Sequence, residues 1–179
     1  MLERIMIAGF GGQGVLFTGQ LLAYAGMLEG KHVCWVPSYG AEMRGGTANC
    51  AVTVADEEIC SPLAEEPGSL LIFNLPSLLK FAPRLKPGGI LLLNSSLVKS
   101  EIKRGDVRVY PVPANQLAEK IKSAQLANLV MLGAYLKISG LIALDSVNKA
   151  LEKILPAHRR HLLPYNRQAL ESGMAIVGG

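Results

Sequence analysis

The sequence predicts one α/β domain over residues 1–179, built on a mostly parallel sheet of about five to seven strands with helices on both faces and a helical last third. Three observations carry this. Short apolar runs alternate with helix-period segments, a glycine cluster stands between the first run and the first helical segment, and the pattern turns wholly helical after residue 113.

Residues 5–8 are an apolar run that ends in glycines, and 15–28 place Leu16, Gly19, Leu22, Ala23 and Gly26 at helical spacing. Residues 32–36, bounded by Gly30 and Pro37, read as a second buried strand, so strand, helix and strand form a Rossmann-like βαβ unit with parallel strands. A polar loop, 38–47, leads to an apolar stretch at 49–55. Further strands are expected at 70–73, 90–93 and 107–110, with a short helix at 77–81 and turns at Pro67-Gly68 and Pro87-Gly88-Gly89. Helical periodicity then covers 114–139 with a break near 125–128, where Asn128 is expected to cap the next helix. From Asp145, the positions Val147, Ala150, Leu151, Ile154 and Leu155 form one apolar face that Pro156 ends, and a last helix is expected from 164 to 172, stopped by Gly173.

Half of the 179 residues are hydrophobic and 18% are charged, below the ~25% of an average soluble domain. The apolar run 126–136 contains Asn128 and stops at Lys137, short of the ~18 to 20 residues of a membrane span. Glu3 stands where a signal peptide would be basic, so a cytoplasmic location is expected. The net charge of +4, with basic residues scattered apart from His158-Arg159-Arg160-His161, does not suggest nucleic acid binding. Cys34, Cys50 and Cys60 are 16 and 10 residues apart and form no metal-binding pair; they read as buried thiols, and no metal or cluster is expected on this chain alone.

Gly9-Phe10-Gly11-Gly12-Gln13-Gly14 satisfies G-x-G-x-x-G between a strand and a helix. Such a turn brings backbone N–H groups close to an anion at a helix N-terminus. Binding of NAD would also require an acid about 20 residues on; that region holds Cys34, Trp35, Val36 and Pro37, which disfavours it. Two readings stay open: anion contact through Gly11, Gly12, Gln13 and Gly14, or a turn needed only for close strand–helix packing.

In the loop 38–47, Tyr39, Glu42 and Arg44 stand among glycines, and Arg44 before Gly45-Gly46 is free to offer its guanidinium fork to a carboxylate or phosphate, or to pair with Glu42 or a neighbouring chain. After a second parallel strand, this loop falls at the carboxyl edge of the sheet beside the glycine turn. Ser38, Ser95 and Ser96 have no evident base, Glu57-Glu58 and Glu65-Glu66 read as surface turns, and His158 and His161 as a solvated or interface cluster. Tyr135 reads as core. No catalytic residue emerges, so the isolated chain does not read as a complete enzyme.

Two of these segments, G-F-G-G-Q-G-V at 9–15 and Y-G-A-E-M-R-G-G at 39–46, resemble the signature pair of the gamma subunit, or its fused domain, of the 2-oxoacid:ferredoxin oxidoreductases. P-V-P-A-N-Q-L-A at 111–118, A-N-L-V-M-L-G-A at 127–134 and N-R-Q-A-L-E-S-G at 166–173 extend the likeness over nearly the whole chain. The resemblance implies a subunit of an enzyme that turns a 2-oxoacid and CoA into an acyl-CoA and CO2 and passes electrons to ferredoxin. It places thiamine diphosphate in the alpha and beta subunits and the iron–sulfur clusters in ferredoxin-like parts, with this chain contacting those partners. It also leads one to expect an aspartate opening and another closing the strand at 70–73, where this chain has Gly68-Ser69 and Asn74. Pyruvate, branched-chain oxoacids and 2-oxoglutarate remain open as substrates, as does a homodimer of the isolated chain. The alternative is a Rossmann-like nucleotide- or phosphate-binding module without catalysis.

Overall fold

A computed structural model describes residues 1–39, 47–61, 65–121 and 123–178. One six-stranded sheet organises them, in the order β2-β3-β1-β4-β5-β6. The strands are β1 (Leu2–Phe10), β2 (His32–Tyr39), β3 (Thr47–Ala55), β4 (Ser69–Ile72), β5 (Ile90–Asn94) and β6 (Arg108–Val112). The helices are α1 (Val15–Leu28), α2 (Leu75–Phe81), α3 (Ala114–Lys120), α4 (Ala127–Ser139), α5 (Leu144–Ile154) and α6 (Leu163–Ile176).

Strand alternation builds two cores. Ile5 and Ile7 of β1, Cys50, Val52 and Val54 of β3, and Leu71 and Leu92 face α1 and α3 to α6. Their neighbours Met6, Ala8, Leu70, Ile72, Leu91 and Leu93 face α2 and the segment crossing from β5 to β6. Each fully buried Leu or Ile contributes roughly 1.5 to 3 kcal/mol. Tyr135 is fully buried within the first core, as its setting in α4 led us to expect.

The first βαβ unit differs from expectation in one respect. β2 runs parallel to β1, but β3 lies antiparallel between them, pairing Leu2 to Phe10 on one side and His32 to Tyr39 on the other. Two predicted strands also stop short, at Pro37 and Pro111, whereas β2 and β6 run through these prolines. Both are edge strands, where a missing N–H breaks no ladder bond.

Two helix predictions are corrected. Asn128 does not cap α4, which begins at Ala127 after Leu126; its buried carboxamide instead reaches α1. Gly173 does not stop the last helix, because α6 continues to Ile176 and uses this glycine where it crosses α4. A Cβ at Gly173 would meet the carbonyl of Val130 and, at 2.8 Å, the nitrogen of Ala134; one at Gly133 would run into the backbone of Leu170.

The positions where aspartates were expected have local partners. Ser69 donates its hydroxyl to Glu3 Oε1 at 2.7 Å, and burial raises the Glu3 pKa above the usual carboxylate range despite that bond. Asn74 caps α2, its side-chain oxygen accepting from Ser77 N at 2.8 Å.

The cysteines are not uniformly buried. Cys50 is buried, Cys34 half-buried and Cys60 exposed. Register places Cys34 opposite Thr53 and Cys50 opposite Pro37, so these two thiols lie on opposite faces of the sheet. Desolvation pushes the Cys50 thiol up to about 12. Alkylation at mildly alkaline pH is therefore expected to label Cys60 first and Cys50 only on unfolding, as peptide mass mapping over time would read.

Candidate functional site

The connectivity fixes where a site belongs. After β1 the chain passes through α1 on one face of the sheet and out to β2; after β4 it passes through α2 on the other face and on to β5. The carboxyl ends of β1 and β4 are thus a switch point, where α/β sheets leave a crevice. Gly9 to Gly14 turn at this point.

Gln13 bridges the crevice. Its Oε1 accepts from Phe10 N at 2.7 Å, and its Nε2 donates to the Phe73 carbonyl at 3.4 Å, tying β1 to the residue after β4. A Cβ at Gly9 would stand 2.6 Å from Gln13 Oε1 and 2.9 Å from Phe73 Cβ, so the first glycine is needed for close packing. Gly12 and Gly14 adopt φ of +94° and +75°, conformations that other residues rarely take. Gly12 is exposed with open space where a Cβ would be, whereas a Cβ at Gly14 would lie 2.5 Å from Asn128 Nδ2.

α1 begins at Gly14 without a side-chain cap, which leaves its first N–H groups without intrahelical acceptors. The Gly14 carbonyl, in contrast, is well held: it accepts from Thr18 N and Thr18 Oγ1, both at 2.9 Å, and from Asn128 Nδ2 at 3.5 Å. Asn128 Nδ2 also donates to Thr18 Oγ1 at 3.3 Å, so α4 is fastened to the first turn of α1.

Beside this turn lies a cleft of about 210 Å³. Gly12, Gln13 and Phe73 form one side; Asn94, Asn115 and Gln125 bring further carboxamides, with Ala124 and Ala127 completing the wall. Asn94 Nδ2 donates to Asn115 Oδ1 at 2.7 Å, while Asn94 Oδ1 accepts from Ser96 N at 3.3 Å. Among the described residues, no lining side chain is charged or a histidine. Such carboxamides orient a polar ligand through hydrogen bonds.

Of the residues predicted to make contact, Gly11, Gly12, Gln13 and Gly14 lie on this turn. Glu42, Arg44, Gly45 and Gly46 lie outside the described residues, and Tyr39 is described only as the last position of β2. The strands that lead into and out of 40–46 do end beside the turn: Thr47 pairs with Phe10, and Tyr39 with Ala48. Sequence reasoning missed the carboxamides. The one local signal was an Asn closing β5, Asn94, and another three residues after β6, Asn115.

Among the described residues, no group of three or more His, Cys, Asp or Glu is placed to hold a metal ion. No described helix is long and apolar enough to cross a membrane.

A family model described as pyruvate ferredoxin/flavodoxin oxidoreductase matches residues 4–176. The chain belongs to this family. The ketoisovalerate oxidoreductase subunit VorA of Methanothermobacter thermautotrophicus is 42% identical over 172 residues, which cover 95% of this chain and 35% of the relative. The chain thus spans about a third of the length of the VorA relatives it matches. The 2-oxoglutarate synthase subunit KorC of Methanocaldococcus jannaschii is 32% identical over 172 residues, covering 93% of this chain and 92% of the relative. Among solved structures, the gamma subunit of a keto/oxoacid ferredoxin oxidoreductase from Geobacter sulfurreducens superimposes with a TM-score of 0.84 at 27% identity, covering 98% of both chains. The oxidoreductase family therefore occurs both as chains of this length and as longer chains that include this domain.

Proposed function

We propose that this chain is the gamma-type component of a 2-oxoacid:ferredoxin oxidoreductase. The assembly converts a 2-oxoacid and CoA into an acyl-CoA and CO2 and passes the electrons to ferredoxin. The observation that carries this reading is the family match over residues 4–176, with relatives named as subunits of ketoisovalerate and 2-oxoglutarate enzymes.

In this reading thiamine diphosphate, held by alpha and beta partners, supplies the decarboxylation chemistry, and iron–sulfur clusters in partner chains take the electrons. The described cysteines do not suit a cluster, since Cys34 and Cys50 lie on opposite faces of the sheet and Cys60 stands apart on an exposed turn. This chain contributes shape and hydrogen bonding at one sheet edge. Gln13 and Asn128 hold the glycine turn rigid, while Asn94, Asn115 and Gln125 present uncharged donors and acceptors. Tyr39, Glu42, Arg44, Gly45 and Gly46 belong to the segment that joins β2 to β3 in sequence and are assigned here to partner or anion contact.

Arg44 is the charged group of that set with the greatest expected effect on turnover. Arg44→Ala in the assembled enzyme is expected to lower 2-oxoacid-dependent reduction of an electron acceptor by about tenfold or more, the cost of one charge-assisted contact. Unchanged assembly and unchanged turnover would remove the loop from the proposed site.

A further inference from the structure

Lysines and arginines are unevenly distributed along the chain. Between residues 75 and 108 the chain carries seven of its eighteen Lys and Arg and only two of its fourteen acids, so the remainder is close to neutral. The basic segment comprises α2, the turn after it, β5 and the crossing from β5 to β6.

These elements enclose an apolar groove of about 340 Å³. Leu78, Leu79, Ala82 and Pro83 line one wall, and Ile102 and Lys103 lie on the other. Leu79 is 68% exposed and Leu75, one turn before it on α2, is 43% exposed. The groove is held open by its own framework. Arg104 donates to the carbonyls of Ala82 at 2.7 Å and Leu85 at 2.8 Å while its remaining N–H groups pair with Asp106, stapling the crossing segment to the end of α2. Asp106 is thereby neutralised, and Glu101 stands in the chain between Lys99 and Lys103, all three exposed, with Glu101 and Lys103 on the groove wall.

The chain itself displays what this basic corner accepts. Residues 56–66 carry five acids and no Lys or Arg. Glu65 and Glu66 share a hollow with Arg4 and Lys86, and the Glu65 carbonyl accepts from Arg84 Nε at 2.9 Å. Glu65 and Glu66 thus already stand beside basic side chains at one flank of the corner, while the flank formed by 99–104 has an open groove.

We propose that the groove between α2 and residues 99–104 docks an acidic segment of a partner protein that presents apolar side chains between its carboxylates. Burying Leu79 supplies affinity and the lysines at the rim select charge. A concave groove walled by two elements fits side chains better than the flat face of a bilayer. Base stacking is not available, because Phe81 is buried at 4% exposure with Lys80 and Arg84 already over its ring at 5.2 and 5.9 Å. This surface lies on the second face of the sheet, away from the glycine turn, and its assignment does not depend on the oxidoreductase reading.

The test is an NMR titration of the isotope-labelled full chain with a synthetic peptide of alternating leucine and glutamate pairs. Shifts confined to Leu78, Leu79, Ala82, Ile102 and Lys103 are expected. Affinity should fall about tenfold or more in Leu79→Ser and in the Lys80→Glu, Lys103→Glu pair, and should weaken as salt rises. All three positions are exposed, and unchanged circular dichroism would establish that the variants stay folded. Equal binding of a leucine–lysine peptide, shifts elsewhere, no effect of the variants, or binding of phosphatidylglycerol vesicles without binding of the peptide would each overturn the proposal. Because Leu79→Ser leaves the glycine-turn site intact, its effect on peptide binding is read separately from turnover of the oxidoreductase.

Discussion

Gly133→Ala is expected to cost about 3 kcal/mol or more of folding stability, the range of severe overpacking in a core. The added Cβ would run into the carbonyl oxygen of Leu170 and lie 2.7 and 2.8 Å from its carbonyl carbon and Cα. All three are backbone atoms of α6, so no rotamer change relieves the overlap; the α4–α6 crossing has to widen. Gly173→Ala attacks the same crossing from the other side, against Val130 and Ala134. The two costs should therefore fall short of additive in the double variant, since the first already separates the helices. Gly105→Ala is the control, with nothing within 4 Å of its Cβ and a φ outside the left-handed region; a change within ±0.5 kcal/mol is expected. Urea unfolding of the four variants checks the set. A Gly133→Ala protein as stable as the parent would mean that α4 and α6 do not cross as described.

Gly14→Ala combines two penalties. Its φ of +75° costs an L-residue about 1 to 2 kcal/mol, and its Cβ would press on Asn128 Nδ2 at 2.5 Å and Cγ at 2.8 Å. Displacing that buried carboxamide breaks its bonds to the Gly14 carbonyl and to Thr18 Oγ1, for a total of about 2 to 4 kcal/mol. Asn128→Ala removes the obstacle as well as the bonds. In that background Gly14→Ala should cost only the backbone strain, and the double-mutant cycle should show coupling of about 1 kcal/mol or more. Strict additivity would place Asn128 away from the turn. Because this contact shapes the edge that bears the cleft, the proposed function predicts that Gly14→Ala lowers turnover of the assembly by more than its loss of stability accounts for.

The features legible in the sequence were those set by local periodicity. Alternating apolar runs located each of β1 to β6, and the spacing of Val147, Ala150 and Leu151 located the buried face of α5. Illegible were the features set by neighbours distant in sequence. Whether Pro37 and Pro111 end a strand depends on which strands lie at the sheet edges, and that is a property of the whole topology. Gly173 looked like a helix stop because a glycine needed for a close crossing and one needed for a terminus are the same residue. Asn128 looked like a cap until α1, 110 residues earlier at Thr18, was placed beside it. The glycine turn was recognised, yet its two open readings are not exclusive. Gly9 and Gly14 are required by packing, while Gly12 leaves the edge accessible. The cleft itself went unseen because carboxamides carry no charge pattern, and Gln13, Asn94, Asn115 and Gln125 converge only when the turn after β1, the end of β5, α3 and the residues before α4 are set side by side.

The central claim is that this chain works as one component of a 2-oxoacid:ferredoxin oxidoreductase. Purification of the native protein under anaerobic conditions, followed by identification of its companions and assay of the eluate, tests it most directly. Companion chains carrying thiamine diphosphate and iron, with CoA-dependent reduction of a viologen dye on addition of a 2-oxoacid, are the predicted result. A chain that elutes alone, with no such companions and no such activity in any fraction, would contradict the account.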